Sequence, residues 1–288
     1  MVIFKKIADI TAYLTNHRQQ ARSIGFVPTM GALHKGHVSL LEHARSNGDL
    51  TVVSIFVNPT QFNDKKDFDA YPISIEEDIH MLEQAGCDVV FIPHAHEIYP
   101  PGLSQPPVYE LGYIDTVLEG ANRPGHFKGV GQVVARLLHI VMPHRLYLGQ
   151  KDYQQVMVIK QVAAQIPELQ YIDVVICPTV REDDGLAMSS RNRRLTDPQR
   201  ALSSLLYQCL VSVQAKAGID TFAKVQKECM DIMTEKGLQP EYVSLADART
   251  MQLLPDYDNS RPMIALIAAR VGNVRLIDNI FLQPVPVA

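Results

Sequence analysis

A chain of 288 residues that is 47% hydrophobic and 20% charged carries enough apolar material for a full core, which excludes a disordered protein. Its formal net charge of -4 excludes the broad basic footprint that sequence-independent nucleic-acid binding needs. No apolar run approaches the roughly twenty residues of a membrane-spanning helix, and the length suits one large or two modest domains.

The amino terminus, Met1-Val2-Ile3-Phe4-Lys5-Lys6, lacks the order of a secretion signal, so the expected location is the cytoplasm. Helical spacing over residues 7–21 leads into a series of short apolar runs at 24–27, 51–56, 89–92, 145–148 and 173–176. Between them lie helical patterns at 37–45, after the capping-box sequence Ser74-Ile75-Glu76-Glu77, and at 130–141 and 153–164. This alternation predicts an α/β fold, a Rossmann-like doubly wound parallel sheet, with ligands gathered at the carboxyl ends of its strands. Residues 93–127 are rich in proline and glycine and read as an ordered loop covering part of that edge, or as a plain insertion. After residue 176 the texture changes: helical patterns at 196–217 and 220–236 precede strand-like runs at 242–245, 263–268 and 274–277. Helices clustered before strands predict a smaller C-terminal α+β domain, dividing the chain into 1–177 and 178–288. Cys87, Cys177, Cys209 and Cys229 are scattered with no CxxC pair, which fits reduced thiols better than disulfides or structural zinc.

The most informative stretch follows the run at 24–27: Pro28-Thr29-Met30-Gly31-Ala32-Leu33-His34-Lys35-Gly36-His37. A strand feeding a glycine-bearing turn and then a helix offers free N–H groups and the positive end of a helix dipole, a setting that favours phosphate. His34 and His37, three residues apart, share that helix start. The same pair would also suit a surface position or half of a metal site. Asn58-Pro59-Thr60-Gln61, after the run at 51–56, puts two amides beside a stiff proline, either to hold hydroxyls and carboxylates or simply to turn the chain. Arg123-Pro124-Gly125-His126-Phe127 is a basic turn before a helix. Gly149-Gln150-Lys151-Asp152-Tyr153-Gln154-Gln155 opens another helix, with Lys151 either a phosphate-reading charge or a solvated lysine. Asp183-Asp184-Gly185-Leu186-Ala187-Met188-Ser189-Ser190-Arg191-Asn192 has the hydroxyls and guanidinium to envelop a triphosphate, or the composition of a linker.

Taken together, these segments change the reading. Class I nucleotidyltransferases pair a His-x-Gly-His turn with a downstream Met-Ser-Lys-Ser-like loop, and Met188-Ser189-Ser190-Arg191 resembles that loop. The full set, in this order and spacing over nearly the whole chain, resembles the pantothenate synthetase family. Glutamate is common in that family where Gln150 stands and threonine where Gln132 stands, and neither residue is needed for the chemistry.

The resemblance implies ATP-dependent condensation of pantoate with β-alanine through a pantoyl adenylate, giving pantothenate, AMP and pyrophosphate. It implies that Met30, Gly31, Ala32, Leu33, His34, Lys35, Gly36 and His37 line the ATP site. Gly149, Gln150, Lys151, Asp152, Val180, Met188, Ser189, Ser190 and Arg191 would join them. His37 matches the proton donor, with His34 and Lys151 beside it in catalysis. Gln61 and Gln155 match pantoate ligands, Gln61 also a β-alanine contact, and Asn58 is a further substrate candidate. Pro28, Val133 and Val134 would form the apolar wall for pantoate's gem-dimethyl group. Magnesium would ride on the phosphates, with Asp78 as the one carboxylate considered for it and an exposed helix-face charge as the alternative. The segments are expected to converge on one pocket, with residues 178–288 as a lid domain, no membrane or nucleic-acid partner, and a homodimer in solution. The rivals are another class I nucleotidyltransferase acting on a phosphate, a tRNA-charging enzyme, and a non-catalytic nucleotide sensor.

Overall fold

The computed structural model describes residues 1–62, 68–69, 71–100 and 107–282, so residues 101–106 of the expected covering loop lie outside the described residues. The chain divides into two compact units, Met1–Gly149 with Gln155–Pro178, and Gln150–Gln154 with Thr179–Ala288.

The first unit is built on a parallel sheet. Its strands are β1 (Val2–Phe4), β2 (Ile24–Thr29), β3 (Leu50–Ile55), β4 (Val89–Phe91), β5 (Arg145–Gly149) and β6 (Asp173–Cys177), in the order β1-β4-β3-β2-β5-β6. Every pairing is parallel. β3 is buried along its whole length, as expected for a strand covered on both faces, and that burial is why the sequence shows runs here and not alternation. The sheet grows outward from β2 in both directions, through β3 and β4 on one side and β5 and β6 on the other. The order therefore reverses between β2 and β5, where Gly25 pairs with Arg145 and Phe26 with Leu146. Crevices at such reversals, outside the strand carboxyl ends, are where doubly wound sheets bind ligands.

Helix α1 (Ile7–Gln19) joins β1 to β2, and α2 (Lys35–Ser46) joins β2 to β3. α2 buries Leu40, Leu41 and Ala44 against Val27, Val53 and Ile55 of the sheet. Helix α3 (Ile75–Gln84) precedes β4, α4 (His126–Val141) precedes β5, and α5 (Tyr153–Ala164) precedes β6. α4 approaches the segment after β3 so closely that a Cβ on Gly129 would lie 2.3 Å from the Thr60 carbonyl oxygen, so this contact admits only glycine.

The second unit holds an antiparallel sheet, β7 (Gln239–Asp247), β8 (Met263–Val271) and β9 (Val274–Phe281), in that order. Helices α6 (Asp197–Ser203), α7 (Leu205–Ala215) and α8 (Phe222–Glu235) precede it, and Leu210, Val213, Val225 and Met233 bury their side chains against Val243 and Ile267. The expected architecture, a doubly wound parallel sheet followed by a smaller α+β unit, is the observed one.

Two local expectations change. The single helix expected over 196–217 is broken at Ser204, where the Ser203 and Ser204 hydroxyls donate back to the carbonyls of Gln199 and Ala201. β1, absent from the sequence reading, is a three-residue edge strand defined only by its partner β4. Among the described residues no helix is long and apolar enough to cross a membrane.

Candidate active site

In the first unit the candidate site is built at the carboxyl ends of β2 and β3. Past Thr29 the chain takes two successive left-handed residues, Gly31 (φ 81°) and Ala32 (φ 50°), before His34 caps α2. Two left-handed residues in a row are costly unless something outside the turn fixes them. Asp78 of α3 does so. Its carboxylate, 1% exposed, accepts the Ala32 N–H at Oδ2 (2.8 Å) and the Leu33 N–H at Oδ1 (2.7 Å), and Oδ1 also accepts the Ser74 hydroxyl at 3.1 Å. A Cβ on Gly31 would stand 2.9 Å from Asp78 Oδ2 and 3.0 Å from Ile55 Cγ2, so the carboxylate and the glycine are required by one another.

This arrangement corrects three expectations. Asp78 is not an exposed helix-face charge, and its oxygens are directed at the backbone of the histidine turn instead of at a magnesium ion. Among the described residues no group of three or more His, Cys, Asp and Glu could hold a metal ion. Ser74, read as the cap of α3, makes no side-chain cap bond because its hydroxyl is spent on Asp78. Third, the turn does not offer a row of free N–H groups. The amides of Gly31, Ala32, Leu33, His34 and Gly36 donate to Thr29 Oγ1, Asp78, Asp78, His37 Nδ1 and His34 Nδ1 respectively.

The two imidazoles of the turn cap one another. His34 Nδ1 accepts the Gly36 N–H at 3.1 Å, and His37 Nδ1 accepts the His34 N–H at 3.3 Å, a reciprocal cap with ring centroids 4.1 Å apart. An imidazole that accepts at Nδ1 carries its proton on Nε2 when neutral. With their Nδ1 atoms accepting backbone amides, both rings present Nε2 as the donor side when neutral.

Beside this turn lies the amide cluster after β3. Gln61 Nε2 reaches Met30 Sδ at 2.7 Å, joining two residues assigned from the sequence to substrate and ATP. Gln61 Oε1 accepts Asn58 Nδ2 at 3.3 Å, and the Gln61 carbonyl meets His126 Nδ1 at 2.8 Å. Asn58 is buried and saturated: Oδ1 accepts from the Tyr99 hydroxyl, the Thr60 hydroxyl and the Thr60 N–H, while Nδ2 also donates to the Gly129 carbonyl. Asn58 thus orients Gln61, and its own amide is engaged within the protein. His126, from the basic turn at 123–127, supports the same loop from α4, with Arg123 Nη1 3.0 Å from its Nε2. Tyr99 escaped the sequence reading because it lies some forty residues from its partner in a segment without pattern. Burial pushes its hydroxyl pKa up, and the bonds to Thr60 and Asn58 pull it back. Val133 and Val134 are buried on α4, Pro28 sits in β2, and Gln155 is in the first turn of α5.

The second unit collects the other assigned residues into two linked turns. Residues 180–188 form a hairpin in which Met188 N–H donates to the Val180 carbonyl at 3.0 Å and Arg181 bridges to Ala187, so Val180 and Met188 are brought face to face. Ser189 then caps the short helix Ser190–Arg194, its hydroxyl accepting the Arg191 N–H. Asp184 at the hairpin tip is gripped by both Arg200 nitrogens, at 2.6 and 2.9 Å, which holds its carboxyl below the usual range. Gln150, Lys151 and Asp152 form a single helical turn, and the Lys151 ammonium lies 3.8 Å from Asp152. Tyr153 closes that turn with a 2.7 Å bond to the Ala248 carbonyl and an edge contact to Phe281, and burial together with Asp247 pushes its hydroxyl up to about 12.

Comparison with known proteins adds four matches. A family model described as pantoate-beta-alanine ligase matches residues 2–281. Pantothenate synthetase from Cytophaga hutchinsonii is 41% identical over 286 residues, 97% of this chain and 99% of that protein. Among solved structures, pantothenate synthetase from Thermus thermophilus superposes with a TM-score of 0.90 at 37% identity, over 99% of this chain and all of that one. Pantoate-beta-alanine ligase from Francisella tularensis, complexed with beta-gamma ATP and beta-alanine, superposes with a TM-score of 0.83 at 37% identity over the whole of both chains.

Proposed function

The chain belongs to the pantoate–β-alanine ligase family, and from that membership we propose how its residues divide the work. It is an ATP-dependent ligase that joins pantoate to β-alanine. In the proposed first step an oxygen of the pantoate carboxylate bonds to the α-phosphorus of ATP while the bond to the bridging oxygen breaks and pyrophosphate leaves. In the second, the β-alanine amine attacks the acyl carbon, AMP departs with the bonding electrons, and the amine proton is lost. Neither step needs a protein nucleophile, so catalysis consists of positioning and of charge stabilisation at the phosphates.

The observation that carries this reading is the reciprocal cap of His34 and His37, which aims two Nε2–H donors from one helix start. Those donors suit phosphate oxygens whose charge rises as pyrophosphate leaves. His37 takes the proton-donor role and His34 supports it. In the second unit Lys151, Ser189, Ser190 and Arg191 supply cationic and hydroxyl donors for the triphosphate, and Gln150, Asp152, Val180 and Met188 border them. In the first unit, Met30, Gly31, Ala32, Leu33, Lys35 and Gly36 shape the nucleotide side and Gly149 ends the neighbouring strand. Gln61 and Gln155 hold pantoate, Gln61 also meets β-alanine, and Pro28, Val133 and Val134 receive the methyl groups.

The described residues build no protein cage for magnesium. Magnesium would accompany the nucleotide as its counter-ion. The assignment of 1–177 to nucleotide and pantoate and of 178–288 to a lid belongs to the same proposal. A cytoplasmic homodimer does too.

The deciding assay measures AMP release with each substrate omitted in turn. AMP formation that requires pantoate and reaches its full rate only with β-alanine is the expected result; an equal rate without pantoate would overturn the reading. Pyrophosphate released in a single turnover from ATP and pantoate alone is the expected sign of the adenylate. For Gln155→Ala, a pantoate KM raised about 10-fold or more is expected, the cost of one amide contact or two, with ATP affinity by calorimetry nearly unchanged. The reverse pattern would remove Gln155 from the pantoate site.

A further inference from the structure

Asn279 sits on β9, an edge strand of the second unit's sheet, and is 1% exposed. Its side-chain amide is wholly engaged by the turn that carries Lys151. Nδ2 donates to the carbonyls of Gln150 and Lys151, both at 2.9 Å, and Oδ1 accepts Gln150 Nε2 at 3.1 Å. One amide thus holds two consecutive carbonyls on the same side, which fixes the backbone of Gln150 and Lys151 and the direction in which the Lys151 side chain departs.

Asn279 is itself held. The preceding residue, Asp278, accepts Arg181 Nη1 at 2.5 Å and Nη2 at 3.1 Å, and Asp278 Oδ1 accepts the Asn279 N–H at 2.8 Å. Arg181 Nη2 also reaches the Asn279 carbonyl at 3.3 Å, and Nη1 reaches the Gly185 carbonyl at 3.0 Å. The guanidinium lies 4.0 Å over the Tyr207 ring, which leaves it one orientation. Lysine is a point charge on a flexible stem, so its use at a phosphate depends on a fixed origin.

We propose that Asn279, backed by the Arg181–Asp278 pair, is a positioning residue for Lys151 and so for the triphosphate of ATP. This rests on the ATP role given to Lys151 above. The test is a double-mutant cycle on kcat/KM for ATP with Lys151→Ala, Asn279→Ala and the combined variant, beside calorimetric binding of a non-hydrolysable ATP analogue. Asn279→Ala is expected to lower kcat/KM for ATP roughly 10-fold or more, the scale of a misplaced binding group, and to weaken the analogue while leaving the pantoate KM within about 2-fold. In the Lys151→Ala background the same change should cost less than about 3-fold, because the group it positions is gone. Asn279→Ser, which keeps one donor, should recover part of the loss and serves as the readout if the alanine variant does not fold. Equal losses with and without Lys151, or a loss spread equally over ATP and pantoate, overturn the proposal and assign Asn279 to fold stability alone. If Lys151→Ala leaves kcat/KM for ATP unchanged, the ATP role of Lys151 itself fails, a result distinct from additive losses in the cycle.

Discussion

Replacing His37 with alanine is expected to lower kcat about 100-fold or more, the scale seen when one donor to a developing negative charge is removed. The ATP KM should change far less, because a donor that strengthens in the transition state contributes little to ground-state binding. Alanine also removes the acceptor for the His34 N–H, so part of any loss could come from a loosened helix start. Asparagine separates the two effects. Its side-chain oxygen can take the place of Nδ1 and accept the His34 N–H, while nothing occupies the position of Nε2. His37→Asn is therefore expected to keep the parent melting temperature and still lose most of kcat. Steady-state kinetics with saturating pantoate, β-alanine and ATP, beside a thermal melt, read both. A His37→Asn enzyme within about 3-fold of the parent would end the donor role.

The second large effect is expected at a residue whose buried carboxylate holds the backbone of the histidine turn. Asp78→Asn replaces one acceptor oxygen with an NH₂ group facing a backbone N–H, either that of Ala32 or that of Leu33. Leaving a buried donor unsatisfied and losing a charge-assisted bond together cost about 2–4 kcal/mol. The loss falls on a turn with two successive left-handed residues, Gly31 and Ala32. The turn should relax, and both imidazoles move with it because their orientation is set by the amides of His34 and Gly36. A displacement of about 1 Å is enough to lower kcat/KM about 100-fold. Denaturant titration should register the stability loss and kinetics the activity loss. Raising the magnesium concentration should restore nothing. Recovery of activity in excess magnesium would return Asp78 to the role of metal carboxylate, and unaltered stability would contradict the account of the turn.

These two positions mark the limits of sequence reading. His34 and His37 were legible because the motif lies in contiguous sequence: strand, glycine turn, two imidazoles and the start of the helix fall within fourteen residues, and three-residue spacing on a helix start suffices to place both rings together. Asp78 was legible only as an acid in the first turn of a helix, where acids are common on solvated faces. What it does depends on α3 packing beside the end of β2, forty-six residues away in the chain. Separation in sequence likewise hid Tyr99, 41 residues from Asn58, and Asn279, 128 residues from Lys151, since each partner is supplied by an element whose own pattern records only its burial. Even the phosphate argument changed its agent. Sequence implied backbone N–H groups at the turn; the folded chain satisfies the amides of Gly31, Ala32, Leu33, His34 and Gly36 internally, so the proposed donors are the imidazoles.

By itself, then, the sequence determined the order of the main strands and helices apart from β1 and the break at Ser204, the parallel class of the main sheet, the smaller α+β unit and the short motifs that tie the chain to its family. All of these follow from hydrophobic periodicity and from residues close in sequence, whose geometry is set by the local backbone. Only the tertiary structure decided which buried polar group satisfies which turn. A carboxylate or amide removed from water must find a partner wherever the fold brings one, and that pairing leaves no periodic trace in the chain.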